Sequence, residues 1–377
     1  MSGPLKILVV PDKFKGTLTA AEAAKSIAKG WRSVRPKDRL ELLPMSDGGD
    51  GFGEVLSTTL GARKQRLQTI DSAHRPCTSE WWWDAGACTA IIETARIIGL
   101  AKIVPPGAFH PFEEDTFGIG RAFEAAGKKG ARHCLVGIGG SATNDGGFGL
   151  ARSLGWKFLD RQGREITQWT RLKNLNQLHR PEREIKFASL TVAVDVQNPL
   201  LGAKGCSRVY GPQKGLVPAD FPEAEKSLSQ LAKVVRRDFK RDFASEPGAG
   251  AAGGLGFGLA VFLGARLQSG FELFAQIAGL EKRLKTVDLV ITGEGAIDKS
   301  SRMGKGVGQL AGWCGQLGLP CIGLAGTVKV SKRKHGGFTA CHGLTDLTLV
   351  EEAKSRPAFW LAELARRAAT EYSSETI

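Results

Sequence analysis

The sequence predicts an α/β protein: a doubly wound parallel sheet with a second α/β domain inserted into it. Three observations carry this. Buried-type strands alternate with amphipathic helices over the first sixty or so residues, and the same alternation resumes over the last hundred or so. Between them, residues 62–283 follow a different pattern of strands, helices and long loops. Strands alternating with helices imply a parallel sheet covered on both faces.

Each element has a local reason. Lys6 to Val10 is an apolar strand, and Thr19 followed three residues later by Glu22 is a capping box that opens a helix. Leu40–Leu43 reads as a strand and Phe52–Leu60 as a helix. Beyond the middle segment come a strand at Val287–Ile291, a helix at Gly304–Leu317 and a strand at Cys321–Ala325. One or two short strands follow between Phe338 and Leu349, then a closing helix, Ala358–Tyr372, after Pro357. The two ends together supply about five strands, the count of a flavodoxin-like doubly wound sheet. The expected domains are therefore 1–61 plus 284–377, discontinuous, and an insert at 62–283. Within the insert, Thr78–Trp83 and Cys88–Glu93 read as paired strands around Asp84-Ala85-Gly86, with Trp81, Trp82 and Trp83 alternating faces. Cys134–Val136 and Leu190–Val194 are further strands.

Composition narrows the function classes. A chain of 377 residues is too long for one ordinary core. The formal charge is +14, but the lysines and arginines are spread out and the densest run, Lys332-Arg333-Lys334-His335, is short. No basic stripe interleaved with aromatics is present, so a nucleic-acid partner is not expected. Seven cysteines, odd in number and without a C-x-x-C pair, point to free thiols in a reducing cytoplasm. The apolar run at the start is too short for a signal-peptide core, and no stretch reaches the ~18 apolar residues of a membrane helix. The six histidines show no metal-ligand spacing.

Four glycine-rich stretches carry the chemistry: Met45–Gly51, Gly137–Gly147, Pro247–Gly254 and Thr292–Asp298. Glycine lets a ligand approach bare N–H groups, and rows of such groups cradle anions. The interleaved acids are hard oxygen ligands of the kind Mg²⁺ takes. Together these features suggest a metal–nucleotide enzyme. Pro11-Asp12-Lys13, Ser46-Asp47-Gly48 and Thr292-Gly293-Glu294 each follow a predicted strand of the outer sheet. Ligands of open α/β sheets bind at that carboxyl rim.

Seven motifs in order resemble the type 1 glycerate kinase family. They are Asp12–Gly16, Asp47–Gly51, Gly137–Gly147, Asp195–Gly202, Gly211–Gly215, Gly248–Gly256 and Thr292–Asp298. The resemblance runs nearly end to end. It implies ATP-dependent, Mg²⁺-requiring phosphorylation of D-glycerate, at the 2-position in preference to the 3-position. It also implies a flavodoxin-like domain joined to one resembling restriction endonucleases. The expected protein is a cytoplasmic monomer or homodimer without nucleic-acid or membrane partners. The chain departs from the family pattern at His110-Pro111-Phe112 and Asp115–Gly120, where hydroxyls are lost. That departure leaves a related small hydroxy acid open as the substrate.

With that resemblance, Lys13 and Lys15 are expected to neutralise phosphoryl oxygens or meet the glycerate carboxylate, the alternative being solvated loop cations. Asp47 is expected to contact metal or substrate, and Asp50 either does the same or caps the following helix. Ser141, Thr143, Asn144 and Asp145 read as a substrate-binding loop or as a locally stitched turn. Asp195 is expected to accept the substrate hydroxyl proton or to hold Mg²⁺, with Asn198 beside the substrate. Lys214 reads as a substrate-anion contact or a surface lysine. Gly250, Gly253 and Gly254 line either ATP phosphates or a tight helix entry. Gly293, Glu294 and Asp298 are expected at the nucleotide, with Glu294 on the metal or capping a helix. Lys305 after Gly304 does not meet the P-loop spacing. The rival enzyme class is an NAD(P) oxidoreductase, since Gly137–Ala142 fits a loose dinucleotide fingerprint with Asp160 at roughly the right distance. Asn144-Asp145-Gly146-Gly147 intervenes where its helix should run.

Overall fold

A computed structural model describes residues 3–298, 306–329 and 336–375. Lys305, the basic run at 332–335 and the first residues of the helix expected from Gly304 lie outside the described residues. In chain order the strands are β1 (Lys6–Pro11), β2 (Arg39–Leu42), β3 (Arg63–Ile70), β4 (Pro76–Asp84), β5 (Thr89–Glu93), β6 (His133–Gly137), β7 (Lys157–Leu159), β8 (Gln177–His179), β9 (Ser189–Val194), β10 (Arg266–Ser269), β11 (Leu289–Ile297), β12 (Cys321–Val328) and β13 (Ala340–Gly343). The helices are α1 (Ala20–Val34), α2 (Phe52–Leu60), α3 (Ala95–Ile98), α4 (Gly120–Lys128), α5 (Phe148–Ser153), α6 (Cys206–Val209), α7 (Phe221–Phe239), α8 (Ala251–Leu263), α9 (Gly270–Ile277), α10 (Leu280–Leu284), α11 (Gly306–Gln316), α12 (Val350–Ser355) and α13 (Pro357–Glu375).

The chain divides into two compact units, 1–47 with 271–377, and 48–270. These boundaries differ from the expected 61/62 and 283/284. The reason is packing: α2 lies against β4 and β5 and so belongs with the second unit. At the other end, α9 and α10 fall in the first unit.

The first unit is a five-stranded parallel sheet in the order β13-β12-β11-β1-β2. Counted within the unit this is 2-1-3-4-5, the doubly wound order. Its core joins Ile7, Val9, Ile291 and Leu324 of the sheet to Trp31 of α1 and Leu361 and Leu364 of α13. The capping box opens α1 as the sequence indicates: Glu22 N donates to Thr19 Oγ1 and Thr19 N to Glu22 Oε2. One expectation is corrected here. The segment Thr292–Ile297 is not a loop after a strand but the strand itself, paired through Ile297 with Val328 of β12.

The second unit is a six-stranded mixed sheet, β10-β9-β6-β5-β4-β3, parallel from β10 to β5 and antiparallel beyond. The tryptophan run sits in β4. Trp81 and Trp83 share one face, their ring centroids 6.4 Å apart, while Trp82 lies between the α2 backbone and the cations of Lys64 and Arg96. Two cores flank α8: Leu255 and Leu259 join the sheet core, Phe257 and Val261 the α5–α7 core. That explains why α8 is apolar all round. Among the described residues no helix is long and apolar enough to cross a membrane.

A Cβ on Gly53 would run into the Trp82 indole, which is itself 2% exposed. A helical Gly→Ala change normally gains up to about 1 kcal/mol, whereas overpacking a filled core costs about 1–3 kcal/mol. Gly53→Ala is therefore expected to lower the denaturation midpoint, and an unchanged or raised midpoint would show that Trp82 yields.

Candidate active site

The carboxyl rim of the first unit gathers acids. Pro11 of β1 pairs with Gly293 of β11 in parallel register, so Asp12, just past β1, and Glu294, within β11, sit on neighbouring strands at one level. Both are 8% exposed. Asp12 N donates to Gly293 O at 2.8 Å, and Asp12 Oδ1 accepts from Lys13 N at 2.7 Å. Asp47, following β2, faces Lys13 with its carboxylate 3.7 Å from Nζ. Burial pushes the Asp12 carboxyl up to about 7; the Asp47 and Glu294 charges add to the rise, and Lys13 opposes it. Lys15 is exposed on the same loop. Asp298 follows β11 and is half-buried.

The second unit treats its glycine loops differently. Glu93, at the end of β5, accepts from Gly51 N at 3.0 Å and Gly53 N at 2.9 Å, occupying the N-terminus of α2. Burial raises its pKa against those two bonds and Arg96. Glu93 thus caps this helix from another strand, a role the sequence reading offered to Asp50. Asp145 does the same for α5. Its carboxylate accepts from Gly147 N, Gly149 N, Thr116 N and Thr116 Oγ1, and Thr116 Oγ1 accepts in turn from Leu150 N. Burial and then the neighbouring Asp115 push Asp145 up to about 6. Two of the expected anion cradles are thus filled from within, by the chain's own carboxylates.

Around Asp145 three motifs meet. Lys214 is no surface lysine: it is 6% exposed, and its Nζ donates to Thr143 O at 2.6 Å. Burial lowers its pKa to about 8. Asn144 Nδ2 donates to Ser207 Oγ at 2.9 Å, while Asn144 Oδ1 is buried with no hydrogen-bond partner among the described residues. A buried acceptor left unmade costs about 1–3 kcal/mol. Ser141 Oγ and Thr143 Oγ1 are bonded to each other at 3.0 Å. Gly253 closes the group: a Cβ there would meet Thr143 O and Lys214 Nζ. Ala252, Gly253 and Gly254 all have left-handed φ, a kink inside α8 that brings its backbone against the loop. Beside it Glu114, which accepts from Ser72 Oγ at 3.0 Å, is pushed by burial up to about 7.

The profile of the glycerate kinase family matches residues 7–373. A glycerate kinase of Halalkalibacterium halodurans is 36% identical over 369 residues, spanning 96% of this chain and 97% of that one. The glycerate 2-kinase of Escherichia coli K12 is 36% identical over 356 residues, 93% of each chain. Among solved structures, one described as a glycerate kinase 2 of Salmonella typhimurium LT2 superposes with a TM-score of 0.84 at 32% identity, covering 99% of this chain and all of that one. The chain belongs to the glycerate kinase family.

Membership makes it an enzyme of the kinase class, and the site residues divide accordingly. In this family member the first unit brings together Lys13, Asp47 and Glu294, with Lys15, Gly293 and Asp298 on the same rim. The second unit brings together Ser141, Asn144, Asp145, Lys214, Gly253 and Gly254. Asp195 is exposed just beyond β9. Asn198 spends its side chain locally, accepting from Tyr210 Oη at 2.6 Å and donating to Lys204 O at 2.8 Å. Gly250 packs against Pro199 O, and its N–H donates to Asn198 O. Asp12, Glu93, Glu114 and Ser207 escaped sequence reasoning. A lone acid ending the apolar run Ala90-Ile91-Ile92 was the available signal for Glu93, and Asp12 stood in a motif credited to its lysines.

The rim acids give a pH signature. The Asp12 carboxyl has a folded pKa of about 7 against an ordinary 3.8. Its raised value means that the stability it contributes is complete below about 4 and is lost as pH rises through about 7. Chelator-treated wild type should be less stable to denaturant at pH 8 than at pH 5, with a smaller difference in Asp12→Asn; equal slopes would remove Asp12 from the cluster. For Glu93→Ala, one buried and one half-buried N–H group lose their acceptor, and a loss of about 2–4 kcal/mol is expected in denaturant unfolding. A loss under about 0.5 kcal/mol would mean that water reaches those groups.

Proposed function

We propose that the chain transfers the γ-phosphoryl group of ATP to the 2-hydroxyl of D-glycerate, giving 2-phosphoglycerate. The observation that carries this is the 36% identity, over 93% of both chains, to the Escherichia coli protein named glycerate 2-kinase. The geometry supports phosphoryl transfer, which asks a protein mainly for positioning and charge stabilisation.

Mg²⁺ fits the first-unit rim by donor chemistry. Asp12, Asp47 and Glu294 offer hard oxygens, and the Asp47 and Glu294 charges add to the rise that burial imposes on Asp12. Among the described residues no group of three or more His, Cys, Asp or Glu is placed to hold a metal by itself. That matches the habit of Mg²⁺ of completing its shell with water and substrate phosphates. When bound there, Mg²⁺ would neutralise phosphate oxygens and orient the γ-phosphoryl group. Lys13, beside Asp47, adds a further cation for charge developing on those oxygens, and Lys15 stands ready to draw in the nucleotide. Asp195 accepts the proton of the attacking hydroxyl. Ser141, Asn144 and Lys214 belong to the substrate side.

Phosphorus NMR of the product formed from D-glycerate and Mg-ATP tests the reading. A 2-phosphoglycerate signal is expected. A 3-phosphoglycerate signal alone would overturn the position, and no turnover would overturn the activity. Asp195→Asn and Glu294→Gln should each lower kcat by about 10²-fold or more with unchanged circular dichroism; wild-type rates in either would remove that residue.

A further inference from the structure

The segment 206–214 bonds the loop 141–145 at two polar points. Ser207 Oγ accepts from Asn144 Nδ2 at 2.9 Å, and Lys214 Nζ donates to Thr143 O at 2.6 Å. Both are fixed from behind: Ser207 lies in α6 and is fully buried, and Lys214 sits in a one-turn helix closed by the bonds Lys214 N to Gly211 O and Gly215 N to Pro212 O. On the far side, Asp145 is tied to Thr116 and to the start of α5. The peptide between Thr143 and Asp145 is therefore held at both ends, and the Asn144 carboxamide is turned by Ser207. What this leaves over is one atom. Asn144 Oδ1 is buried and has no partner among the described residues. With the amide nitrogen bonded to Ser207, the unmet capacity of the carboxamide is its acceptor oxygen, which calls for a donor, and a small hydroxy acid brings its donors as hydroxyls.

We propose that Ser207 and Lys214 are positioning residues that clasp Thr143-Asn144 so that the Asn144 carboxamide oxygen accepts a hydrogen bond from a hydroxyl of the small hydroxy-acid substrate. The inference rests on the glycerate kinase reading and adds to it which atom recognises the substrate and what holds that atom. Lys214 is thereby moved from a direct anion contact to a support acting through the Thr143 carbonyl. The charged and titratable groups facing the Lys214 ammonium are Cys206, Asp145 and Glu114, each of which favours its charged form against burial. The amine that results from burial loses its proton near pH 8. A clasp built on that proton weakens as pH rises, and a guanidinium at the same place keeps it.

The test is steady-state kinetics of the full-length enzyme with D-glycerate and Mg-ATP, with folding followed by thermal denaturation. Lys214→Met is expected to raise KM for D-glycerate roughly tenfold or more while KM for ATP stays within about twofold. Ser207→Ala should show the same selectivity with a smaller rise. Asn144→Leu, which keeps the volume and removes the acceptor, should match or exceed Lys214→Met. In wild type, kcat/KM for D-glycerate should fall on the alkaline side near pH 8, and Lys214→Arg should recover glycerate binding and move that fall upward. A purely structural lysine would change the melting temperature and leave the alkaline limb in place. Should Lys214→Met fail to fold, Ser207→Ala and Asn144→Leu decide. Wild-type KM for D-glycerate in Asn144→Leu, equal effects on both substrates, or an alkaline limb unmoved in Lys214→Arg would each overturn the clasp while leaving the activity standing. A wild-type enzyme inert toward D-glycerate would overturn both.

Discussion

Buried carboxylates that accept the N–H groups at helix entrances hold the second unit's loops in place. A helix leaves its first N–H groups without partners, and its dipole places partial positive charge there. Glu93 answers both demands for α2 and Asp145 for α5. Burial works against the charged form of each acid, which is why both pKa values are raised. The fold tolerates that because the alternative is a set of buried donors with nothing to bond. Loops tied in this way are formed before any ligand arrives, so binding need not supply their ordering entropy.

The first unit uses its acids in the opposite sense. Asp12 and Asp47 follow β1 and β2, Glu294 lies within β11 beside them, and the Lys13 ammonium stands 3.7 Å from the Asp47 carboxylate. Where the second unit sets its acids against helix-entry amides, the first sets Asp12 within reach of the Asp47 and Glu294 charges. Burial first, and then the Asp47 and Glu294 charges, lift the Asp12 carboxyl toward neutrality, which amounts to a preference for positive charge nearby. A phosphoryl-transfer enzyme has a use for that preference, and a purely structural rim does not.

Much of the fold was legible. The Thr19–Glu22 box, the apolar strand Lys6–Val10 and the alternation around Phe52–Leu60 are local signals, and local signals survive folding. The position of Asp47 just beyond β2 followed from a strand end. What the sequence hid was pairing at long range. Thr292–Ile297 looked like a glycine-rich loop because glycine is rare in strands; it is a strand paired with β12, and a Cβ on Gly293 would run into Leu324 O there. Lys214 looked exposed because a lysine between glycines usually is, and only the fold shows Thr143 O waiting for it. Glu93 and Ser207 reach partners 40 and 63 residues away, and neither carries a mark that spacing can read. The domain boundary moved for a similar reason: α2 is settled by the tryptophan strand it packs on.

The central claim is that the chain's own acids, not solvent and not a ligand, occupy the helix-entry amides. Hydrogen exchange of the ligand-free protein reads this directly. Gly51, Gly53, Gly147 and Gly149 amides should exchange as slowly as those of the neighbouring strands β5 and β6. Exchange at the rate of open loops, slowing only when nucleotide or hydroxy acid is added, would contradict the account.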